Sequence, residues 1–437
     1  MTPSARCQAA IELLNEIEAS NAPADMIFNG YFRIRRYAGG GDRRAVRALV
    51  YGVMRKRGQA DWWCDRLKLA RVSRTRVLVC LASDRSPWLN IDAAVAFQGG
   101  QFGAACLSAE ESAAVQKIAD HEFDHQEQTA CVRSNVPDWL EDLFCAEISD
   151  NFEFEMDALG AEAETDLRVN TLRATRYDVM TKLEAEGFSC SATPFAPQGI
   201  RLAQRRPFGN LRALRNGHFE PQGEASQLAV ELIGVKAGCR VLDFCAGAGG
   251  KSLAIAAQMR NQGQIRLCDV DPAKLRRAEK RLARAGVTVA DQVPFDGTNE
   301  PKVTETGDNY DIVIIDAPCS GSGVWRRNPE TKWRLTTEVL KHCTSRQRKL
   351  LRNAARLVRP GGTIAYMTCS ILDVENRMVI DEFLSESDGA FRRRPLAKDW
   401  LRVTGQQLDQ AVTDLQLTPG AHGMDGFYIA VLDGTAP

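Results

Sequence analysis

The feature that most constrains the fold of this chain is a regular alternation of strand and helix patterns after residue 238. Short apolar, β-branched runs bounded by turn residues predict strands over Arg240–Cys245, Gln264–Asp269, Val287–Phe295, Tyr310–Asp316, Thr363–Ser370 and Gly426–Leu432. Helical periodicity between them predicts helices over Gly250–Met259, Pro272–Ala285, Thr337–Val358 and Asp373–Leu384. This alternation predicts a twisted, mostly parallel sheet that binds ligands at the carboxyl ends of its strands.

The residues before this region carry two other patterns. Ala5–Ile17 and Arg43–Met54 have helical spacing, with Asp42 as a candidate N-cap, and Ser108–Glu111 matches a capping box. A short strand after Asp166 and a following helix indicate a small α+β module. We therefore predict a multidomain chain, with an all-α domain over residues 1–150, an α+β module over 151–216 and a Rossmann-like α/β domain over 217–437.

Composition excludes several classes of protein. A hydrophobic content of 44% argues against disorder, and the longest apolar runs are far shorter than the roughly 20 residues of a membrane span. The first ten residues lack the apolar segment of a secretory signal. Thirteen cysteines are scattered without a Cys-x-x-Cys pair, which favours reduced thiols over a disulfide framework or a zinc site. We expect a cytoplasmic monomer with no metal and no membrane partner.

The net charge of zero hides a strong sorting of charge along the chain. Residues 33–76 hold fourteen Lys/Arg and three acids, residues 138–164 hold ten acids and no base, and residues 325–360 hold eleven Lys/Arg and two Glu. Single runs of this kind are usually solvated helix faces, but two arginine-rich runs in separate regions favour a nucleic-acid partner. Within the second run, we predict one buried helix face (Val339, Leu340, Cys343, Leu350, Ala354 and Leu357) and one outward basic face (Arg346, Lys349, Arg352 and Arg356).

A glycine-rich turn joins the first strand of the α/β region to its helix. A Walker A loop would need glycine at Cys245, and a dinucleotide-binding fingerprint would need glycine at Ser252. The spacing of Asp243, Gly247 and Gly249 instead fits the first loop of S-adenosylmethionine methyltransferases, in which glycine lets the backbone approach the cofactor and the helix N-terminus attracts its carboxylate. The predicted cofactor loop consists of Cys245, Ala246, Gly247, Ala248, Gly249, Gly250 and Lys251.

Acidic residues end the following strands. Asp269 ends the second strand, where an acid binds ribose hydroxyls, although Asp271 is an alternative two residues on. Asp296 ends the third strand and is placed to meet the adenine edge. Lys251 could contact the cofactor carboxylate, a substrate phosphate or a catalytic aspartate, and the sequence does not choose among them.

Two cysteines follow the fourth and fifth strands, in Asp316-Ala-Pro-Cys319-Ser and Thr368-Cys369-Ser370. A lone cysteine is usually a small buried hydrophobe, but two at neighbouring strand ends favour chemistry. Thiolate attack at C6 of a pyrimidine activates C5 towards a methyl donor, and the second thiol suits release of the product. Asp316 can hydrogen-bond the amino edge of cytosine and also faces the cofactor. Helix N-termini after both loops are expected to favour the thiolates.

These motifs together resemble the Nol/Nop/Sun family of RNA cytosine-5 methyltransferases, and within it the bacterial small-subunit rRNA branch. The carrying segments are Val241–Lys251, Asp316–Gly321, Arg326–Glu330 with Trp333, Thr368–Ser370 and Asp425–Tyr428, and the similarity covers most of Asp166–Leu432. The resemblance implies that Cys369 is the nucleophile and that Cys319 releases the product, the reverse of the DNA enzymes. It also implies a NusB-like RNA-binding domain, recognisable over Ala5–Ser83, and an RRM-like module.

The resemblance therefore implies S-adenosylmethionine-dependent methylation of a cytosine in RNA. The expected substrate is 16S rRNA, with the target base flipped into the cleft. One departure concerns the cofactor loop, in which Gly247-Ala248 replaces the family's usual Ala-Pro and is expected to loosen the turn. A non-catalytic RNA-binding ribosome assembly factor is the main alternative, and a small-molecule or protein methyltransferase is a third. Neither alternative explains the paired cysteines.

Overall fold

A computed structural model describes residues 1–83, 92–119, 121–204, 207–294 and 310–435. The chain forms two compact units. The first, here called the helical unit, comprises Met1–Asp142, Asn151–Ala161 and Trp325–Leu335. The second, here called the sheet unit, comprises Leu143–Asp150, Glu162–Val324 and Thr336–Pro437. The predicted domain boundaries at residues 150 and 216 stay predictions.

In the described ranges before residue 165, the chain forms ten α-helices, and all except α9 lie in the helical unit. They are α1 (Pro3–Ala19), α2 (Ala24–Ile34), α3 (Gly40–Arg55), α4 (Arg57–Arg66), α5 (Ser73–Ser83), α6 (Ala93–Ala96), α7 (Ala109–Ala119), α8 (Ala130–Arg133), α9 (Ala146–Ser149) and α10 (Phe152–Gly160). The predicted helices lie within α1 and α3. The capping box of α7 is confirmed, with Ser108 N donating to Glu111 at 2.9 Å and Glu111 N donating to the Ser108 hydroxyl at 3.1 Å.

The assignment of Asp42 as an N-cap is wrong. Helix α3 begins at Gly40, three residues before the predicted start at Arg43, and its N-cap is Gly39. Asp42 is therefore the third helical residue. Its carboxylate accepts a hydrogen bond from Gly39 N at 3.1 Å and from the N-terminal amine of Met1 at 3.1 Å. The glycines before Asp42 extend the helix because this carboxylate holds its first turn in place.

A helix from the distant segment Trp325–Leu335 completes the helical unit. Trp333 Nε1 donates to the carbonyl of Met54 at 2.8 Å, and Arg334 Nη2 donates to the carbonyl of Ile17 at 2.7 Å. Glu330 Oε1 accepts from Ala24 N at 3.0 Å. The second basic run is therefore divided, since its first eleven residues belong to the helical unit and the rest to the sheet unit.

The predicted small α+β module is present as a four-stranded antiparallel sheet in the order β2-β3-β1-β4. Its elements are β1 (Thr165–Val169), α11 (Arg176–Ala185), β2 (Cys190–Ala192), β3 (Gly199–Leu202), α12 (Arg212–Arg215) and β4 (Phe219–Pro221). Strand β4 lies beyond residue 216, where the module was predicted to end, because its three residues pair with β1 through Phe219 opposite Val169.

The remaining elements form the predicted α/β region. Its strands are β5 (Arg240–Asp243), β6 (Gln264–Asp269), β7 (Ala290–Pro294), β8 (Tyr310–Asp316), β9 (Val358–Thr368), β10 (Phe391–Arg393), β11 (Asp414–Leu417) and β12 (Phe427–Gly434). Its helices are α13 (Glu224–Ile233), α14 (Gly250–Gln258), α15 (Pro272–Ala285), α16 (Pro329–Arg334), α17 (Thr337–Leu357), α18 (Arg377–Glu386), α19 (Ala397–Thr404) and α20 (Pro419–His422). Of these helices, α16 belongs to the helical unit and the others belong to the sheet unit.

The large sheet is mixed. Its order is β10-β12-β9-β8-β5-β6-β7, with β11 paired to β12. Strands β9, β8, β5, β6 and β7 are parallel, whereas β10, β11 and β12 are antiparallel. The predicted fold class is confirmed in all three parts. Because β5 lies between β6 and β8, the order reverses there, which is where doubly wound sheets bind their ligands.

Helix α17 buries a slightly different face from the one predicted. Leu340, Leu350, Ala354 and Leu357 are buried as expected, together with Thr344, Gln347 and Leu351. Val339 is 45% exposed, so its assignment to the core is wrong. The predicted outward residue Arg352 forms an ion pair with Glu386 at 2.6 Å. Within the described ranges, no helix is long and apolar enough to cross a membrane.

Candidate active site

The turn between β5 and α14 requires glycine at two positions. Gly247 and Gly249 have φ values of +55° and +75°, in the left-handed region that favours glycine. A Cβ atom on Gly249 would lie 3.0 Å from the Cβ of Ala278, whereas one on Gly247 would meet no atom within 4 Å. Gly249 therefore allows α14 and α15 to approach, and Gly247 leaves open space beside the turn.

This turn forms one wall of a cavity of about 260 Å³. Seven predicted residues line the cavity, namely Cys245, Ala246, Gly247, Ala248, Gly250, Lys251 and Asp316. Gly249 is absent from this lining because it packs against α15. Pro221 and Gln222 also line the cavity and stand in the segment Gly217–Gln222, which resembles the family as well. The sequence did not single out two further lining residues, Ser226 and Arg281.

The chemistry of this cavity fits the methionine part of S-adenosylmethionine. Asp243 is fully buried at its edge, and its Oδ2 accepts a hydrogen bond from the Ser252 hydroxyl at 2.6 Å. Its Oδ1 is buried and has no hydrogen-bond partner among the described residues, so a ligand donor such as an amino group would satisfy it. Burial raises the pKa of Asp243 to about 6.

Asp269 lies directly behind the turn. Its Oδ2 accepts from Gly247 N at 2.8 Å, and its Oδ1 accepts from Asp271 N at 2.8 Å. Asp269 thus holds the turn in place, and its role in binding ribose stays a prediction. The alternative Asp271 caps α15, accepting from Ala273 N at 2.8 Å. Asp296, predicted to meet adenine, lies outside the described residues.

Two arginines donate hydrogen bonds to carbonyl groups of the turn. Arg281, on α15, donates to the carbonyl of Ala248 at 2.7 Å, and Arg168, on β1, donates to the carbonyl of Gly250 at 2.7 Å. Arg281 is held by Glu220, on β4, at 3.1 Å. The turn that lacks the family's proline is therefore tied to the small sheet. Arg168 stands in the segment Leu167–Thr171, which also resembles the family, whereas no pattern in the sequence singles out Arg281.

Lys251 pairs with the predicted catalytic aspartate. Its Nζ lies 2.5 Å from Asp316 Oδ2, and the Asp316 side chain is 36% exposed. Of the three partners that the sequence left open, the structure favours the catalytic aspartate. Because the Asp316 side chain is partly exposed, a substrate amino group can reach it.

The two predicted catalytic cysteines meet at the carboxyl ends of β8 and β9. Their sulfur atoms are 3.4 Å apart. The hydrogen bond with Cys369, and then burial, raise the pKa of the Cys319 thiol well above its usual value. The expectation that helix N-termini favour both thiolates is wrong, because the segments after the cysteines form short 3-10 turns over Ser322–Val324 and Asp373–Glu375.

Two glycines bring these loops together. Gly323 N donates to the carbonyl of Cys369 at 2.9 Å, and Gly426 N donates to the carbonyl of Gly323 at 2.8 Å. A Cβ atom on Gly426 would lie 2.5 Å from Ile371 Cγ2 and 2.7 Å from Gly323 Cα. This close approach explains glycine in the closing segment Asp425–Tyr428.

A buried polar network lies beneath the cysteines. Glu375 accepts hydrogen bonds from residues of both cysteine loops, and Asn376 Nδ2 donates to the carbonyl of Ser370 at 3.0 Å. The sequence did not indicate Glu375. Across the part of the chain that the structure describes, no group of three or more His, Cys, Asp or Glu side chains could hold a metal ion.

Comparison with known proteins places these features in a family. The family model "16S rRNA methyltransferase RsmB/F" matches residues 231–433, and the model of its ferredoxin-like domain matches residues 136–209. The ribosomal RNA small subunit methyltransferase B of Shewanella oneidensis is 30% identical over 68% of this chain and 67% of its own length. The protein of the same name from Vibrio cholerae is 31% identical over 69% of this chain, and the match spans 65% of its length.

One solved structure is similar to this chain over almost its entire length. The crystal structure of PH0851 superposes with a TM-score of 0.76 at 25% identity, over 99% of each chain. The likeness therefore extends through the helical unit as well as the sheet unit.

Proposed function

Because the chain belongs to the 16S rRNA methyltransferase RsmB/F family, we propose that it methylates C5 of a cytosine in 16S rRNA. Membership confirms the resemblance predicted from the motifs, and with it S-adenosylmethionine as the cofactor. That cofactor supplies an electrophilic methyl group on a sulfonium centre. Three points go beyond family membership and are proposed here: cytosine as the substrate base, C5 as the methylated atom and a covalent route.

The observation that carries this proposal is the pair of cysteine sulfurs 3.4 Å apart, at two strand ends next to the cofactor cavity. A methyltransferase acting on an oxygen or an exocyclic nitrogen needs no thiol. Methylation at C5 of a pyrimidine needs one nucleophile at C6 and one group that later removes the C5 proton. Two adjacent thiols can divide these tasks, whereas one cannot easily do both.

The environment of the thiols supports giving the first attack to Cys369. The raised pKa of Cys319 keeps that thiol protonated, and a protonated thiol is a poor nucleophile. When Cys369 is bonded to C6, it no longer shares a hydrogen bond with Cys319. The main cause of the raised pKa of Cys319 then disappears, so Cys319 can lose its own proton to solvent. Its thiolate can then take the C5 proton as the bond between Cys369 and C6 breaks.

Asp316 and Lys251 complete the proposed site. Asp316 accepts from the cytosine amino group, and Lys251 holds the carboxylate in place and offsets its charge. The target base must leave its stack to reach this cleft. We also propose a monomer in the cytoplasm, with RNA contacts through exposed arginines of the helical unit. A non-catalytic assembly factor would have no use for the convergence of Cys319, Cys369 and Asp316.

A trapping experiment tests the roles of the two cysteines. Purified wild type, Cys319→Ala and Cys369→Ala are incubated with S-adenosylmethionine and unmodified 16S rRNA, and protein–RNA adducts are separated by denaturing electrophoresis. We expect Cys319→Ala to accumulate an adduct and Cys369→Ala to form none. The opposite pattern would reverse the roles, and the absence of an adduct from both variants would contradict the covalent route.

A further inference from the structure

The side chain of Glu375 is a fully buried carboxylate close to the cysteines. It lies at the end of the 3-10 turn Asp373–Glu375, after β9. Among the described residues no lysine or arginine pairs with it. Burying a carboxylate without a pairing cation costs free energy unless several hydrogen-bond donors satisfy it. The donors to Glu375 therefore indicate its structural role.

Four donors surround this carboxylate. Ser320 donates from its backbone N–H at 2.8 Å and from its hydroxyl at 2.5 Å. The Ser370 hydroxyl donates at 2.6 Å, and Gln347 Nε2 donates at 3.1 Å. Hydrogen bonds to an ionised acceptor are shorter and roughly twice as strong as neutral ones.

These donors belong to both cysteine loops. Ser320 directly follows Cys319, and Ser370 directly follows Cys369. Gln347, on α17, donates to the carbonyl of Pro318 at 3.0 Å as well as to Glu375. One carboxylate therefore joins the residues that flank the two thiols, and α17 holds it from behind.

A glutamine at this position could not replace all four contacts. Its amide group has one accepting oxygen and one nitrogen that only donates. If that nitrogen took the place of Oε1, it would face Ser320 N and Gln347 Nε2, which only donate. If it took the place of Oε2, the Ser320 and Ser370 hydroxyls would have to accept from it, although they already accept from Ser322 N and Leu372 N. The loss would loosen the link between the loops without changing the size of the side chain.

We propose that Glu375 is a positioning residue that ties the Cys319 loop to the Cys369 loop and so holds the two sulfurs within reach of one base. This role rests on the proposed function for its purpose, since methylation at C5 is what requires two thiols together. Its geometry can be tested without RNA.

The spacing of the thiols can be measured as a disulfide equilibrium. The full chain is equilibrated at pH 7 with mixtures of reduced and oxidised glutathione, and the Cys319–Cys369 disulfide is quantified by peptide mass spectrometry. Each disulfide formed removes two thiol hydrogens and converts one oxidised glutathione into two reduced molecules. The equilibrium constant therefore reports how often the sulfurs meet.

We expect Glu375→Gln to lower this equilibrium constant at least tenfold, which is about 30 mV for a two-electron couple. Ser320→Ala and Ser370→Ala each remove one side-chain donor and should lower it less. They serve as the test if Glu375→Gln does not fold. Methyl transfer by these variants should lose kcat with little change in KM for RNA.

Glu224→Gln is the control for the loss of a buried carboxylate elsewhere. Glu224 accepts from Phe195 N at 2.6 Å and Ala196 N at 3.0 Å and, unlike Glu375, pairs with Arg201 at 3.1 Å. None of these partners belongs to the cysteine loops. The variant should lose thermal stability but keep the wild-type disulfide equilibrium. An unchanged equilibrium in Glu375→Gln and in both serine variants would overturn the proposal. If the equilibrium shifts as expected but wild type forms no RNA adduct, the proposed function fails while the positioning role stands.

Discussion

At the scale of single residues, the two cysteine sequences carried most of the functional information. Cys319 and Cys369 could be selected from thirteen cysteines because each ends a predicted strand, and parallel strands bring their carboxyl ends to one edge. Glu375 and Arg281 could not be selected in this way. Most of their contacts are with residues that the sequence separates by 28 to 61 positions, and neither stands in a recognisable motif.

Asp243 links cofactor binding to pH. Its pKa is about 6 in the folded protein against an ordinary value of 3.8, so between these values the folded state keeps a proton that the unfolded chain has lost. The contribution of Asp243 to stability therefore falls as pH rises from about 4 to 6 and is constant above. A cofactor amino group prefers the ionised carboxylate, so affinity should rise through this range.

We expect the Kd for S-adenosylmethionine, measured by titration calorimetry, to be about tenfold higher at pH 5 than at pH 7. Asp243→Asn should bind more weakly at pH 7 and show little difference between the two pH values. Equal affinities of the wild type at both pH values would contradict this assignment.

At the scale of elements, the strands and helices around the active site were largely predictable. The predicted bounds of β6, β8 and α15 match the structure, since long regular patterns dominate there. The three-residue strand β10 and the strand β11 were missed because their pairing with β12, rather than local periodicity, makes them strands. The same reason explains β4, which pairs with β1 beyond the predicted end of its module.

The brace on the cofactor turn gives a prediction about α15. Arg281→Met removes the hydrogen bond to the carbonyl of Ala248 and the link to Glu220. Hydrogen bonds to charged groups contribute about 1.5–3 kcal/mol, so the Kd for S-adenosylmethionine should rise about tenfold or more. Arg277→Met, an exposed position on the same helix, is the control and should bind normally. Equal affinities of the two variants would show that the turn needs no brace.

A second prediction at this scale concerns the contact between the loop after Cys319 and the segment just before β12. Gly426→Ala would place a methyl group 2.7 Å from Gly323 Cα, and the resulting shift should lower the free energy of unfolding by about 1–3 kcal/mol. The same shift moves the Cys319 loop, so methyl transfer should fall with it. Gly41→Ala, in α3 with no atom within 4 Å of the new carbon, should leave stability unchanged or slightly higher. Urea unfolding of both variants makes the comparison, and a Gly426→Ala protein as stable as wild type would contradict it.

At the scale of the whole molecule, the net charge of zero conceals surfaces of different kinds. Several arginines of residues 33–76 are neutralised by acids, as in the pairs of Arg66 with Glu127, Arg71 with Asp65 and Arg74 with Glu111. Arg33, Arg36 and Arg44 are exposed, and no ion pair involving them occurs among the described residues. The charge pattern of the sequence did not distinguish paired from unpaired arginines, because ion pairing depends on the fold.

This difference predicts which arginines contact RNA. Replacing Arg33, Arg36 and Arg44 with alanine should weaken binding to 16S rRNA and reduce the slope of log K against log salt by about 2, given about 0.7 per phosphate contact on a single strand. Replacing Arg66, Arg71 and Arg74 makes the same change in net charge and should reduce the slope much less. Filter binding between 50 and 200 mM salt measures both, and equal slopes for the two variants would contradict the assignment.

The position of the transferred methyl group tests the central claim most directly. Wild type is incubated with unmodified 16S rRNA and S-adenosylmethionine carrying a labelled methyl group, and the RNA is then digested to nucleosides. We predict that the label appears in 5-methylcytidine and that Cys369→Ser transfers none. Label in any other nucleoside, or the same 5-methylcytidine yield from Cys369→Ser, would contradict the proposed reaction.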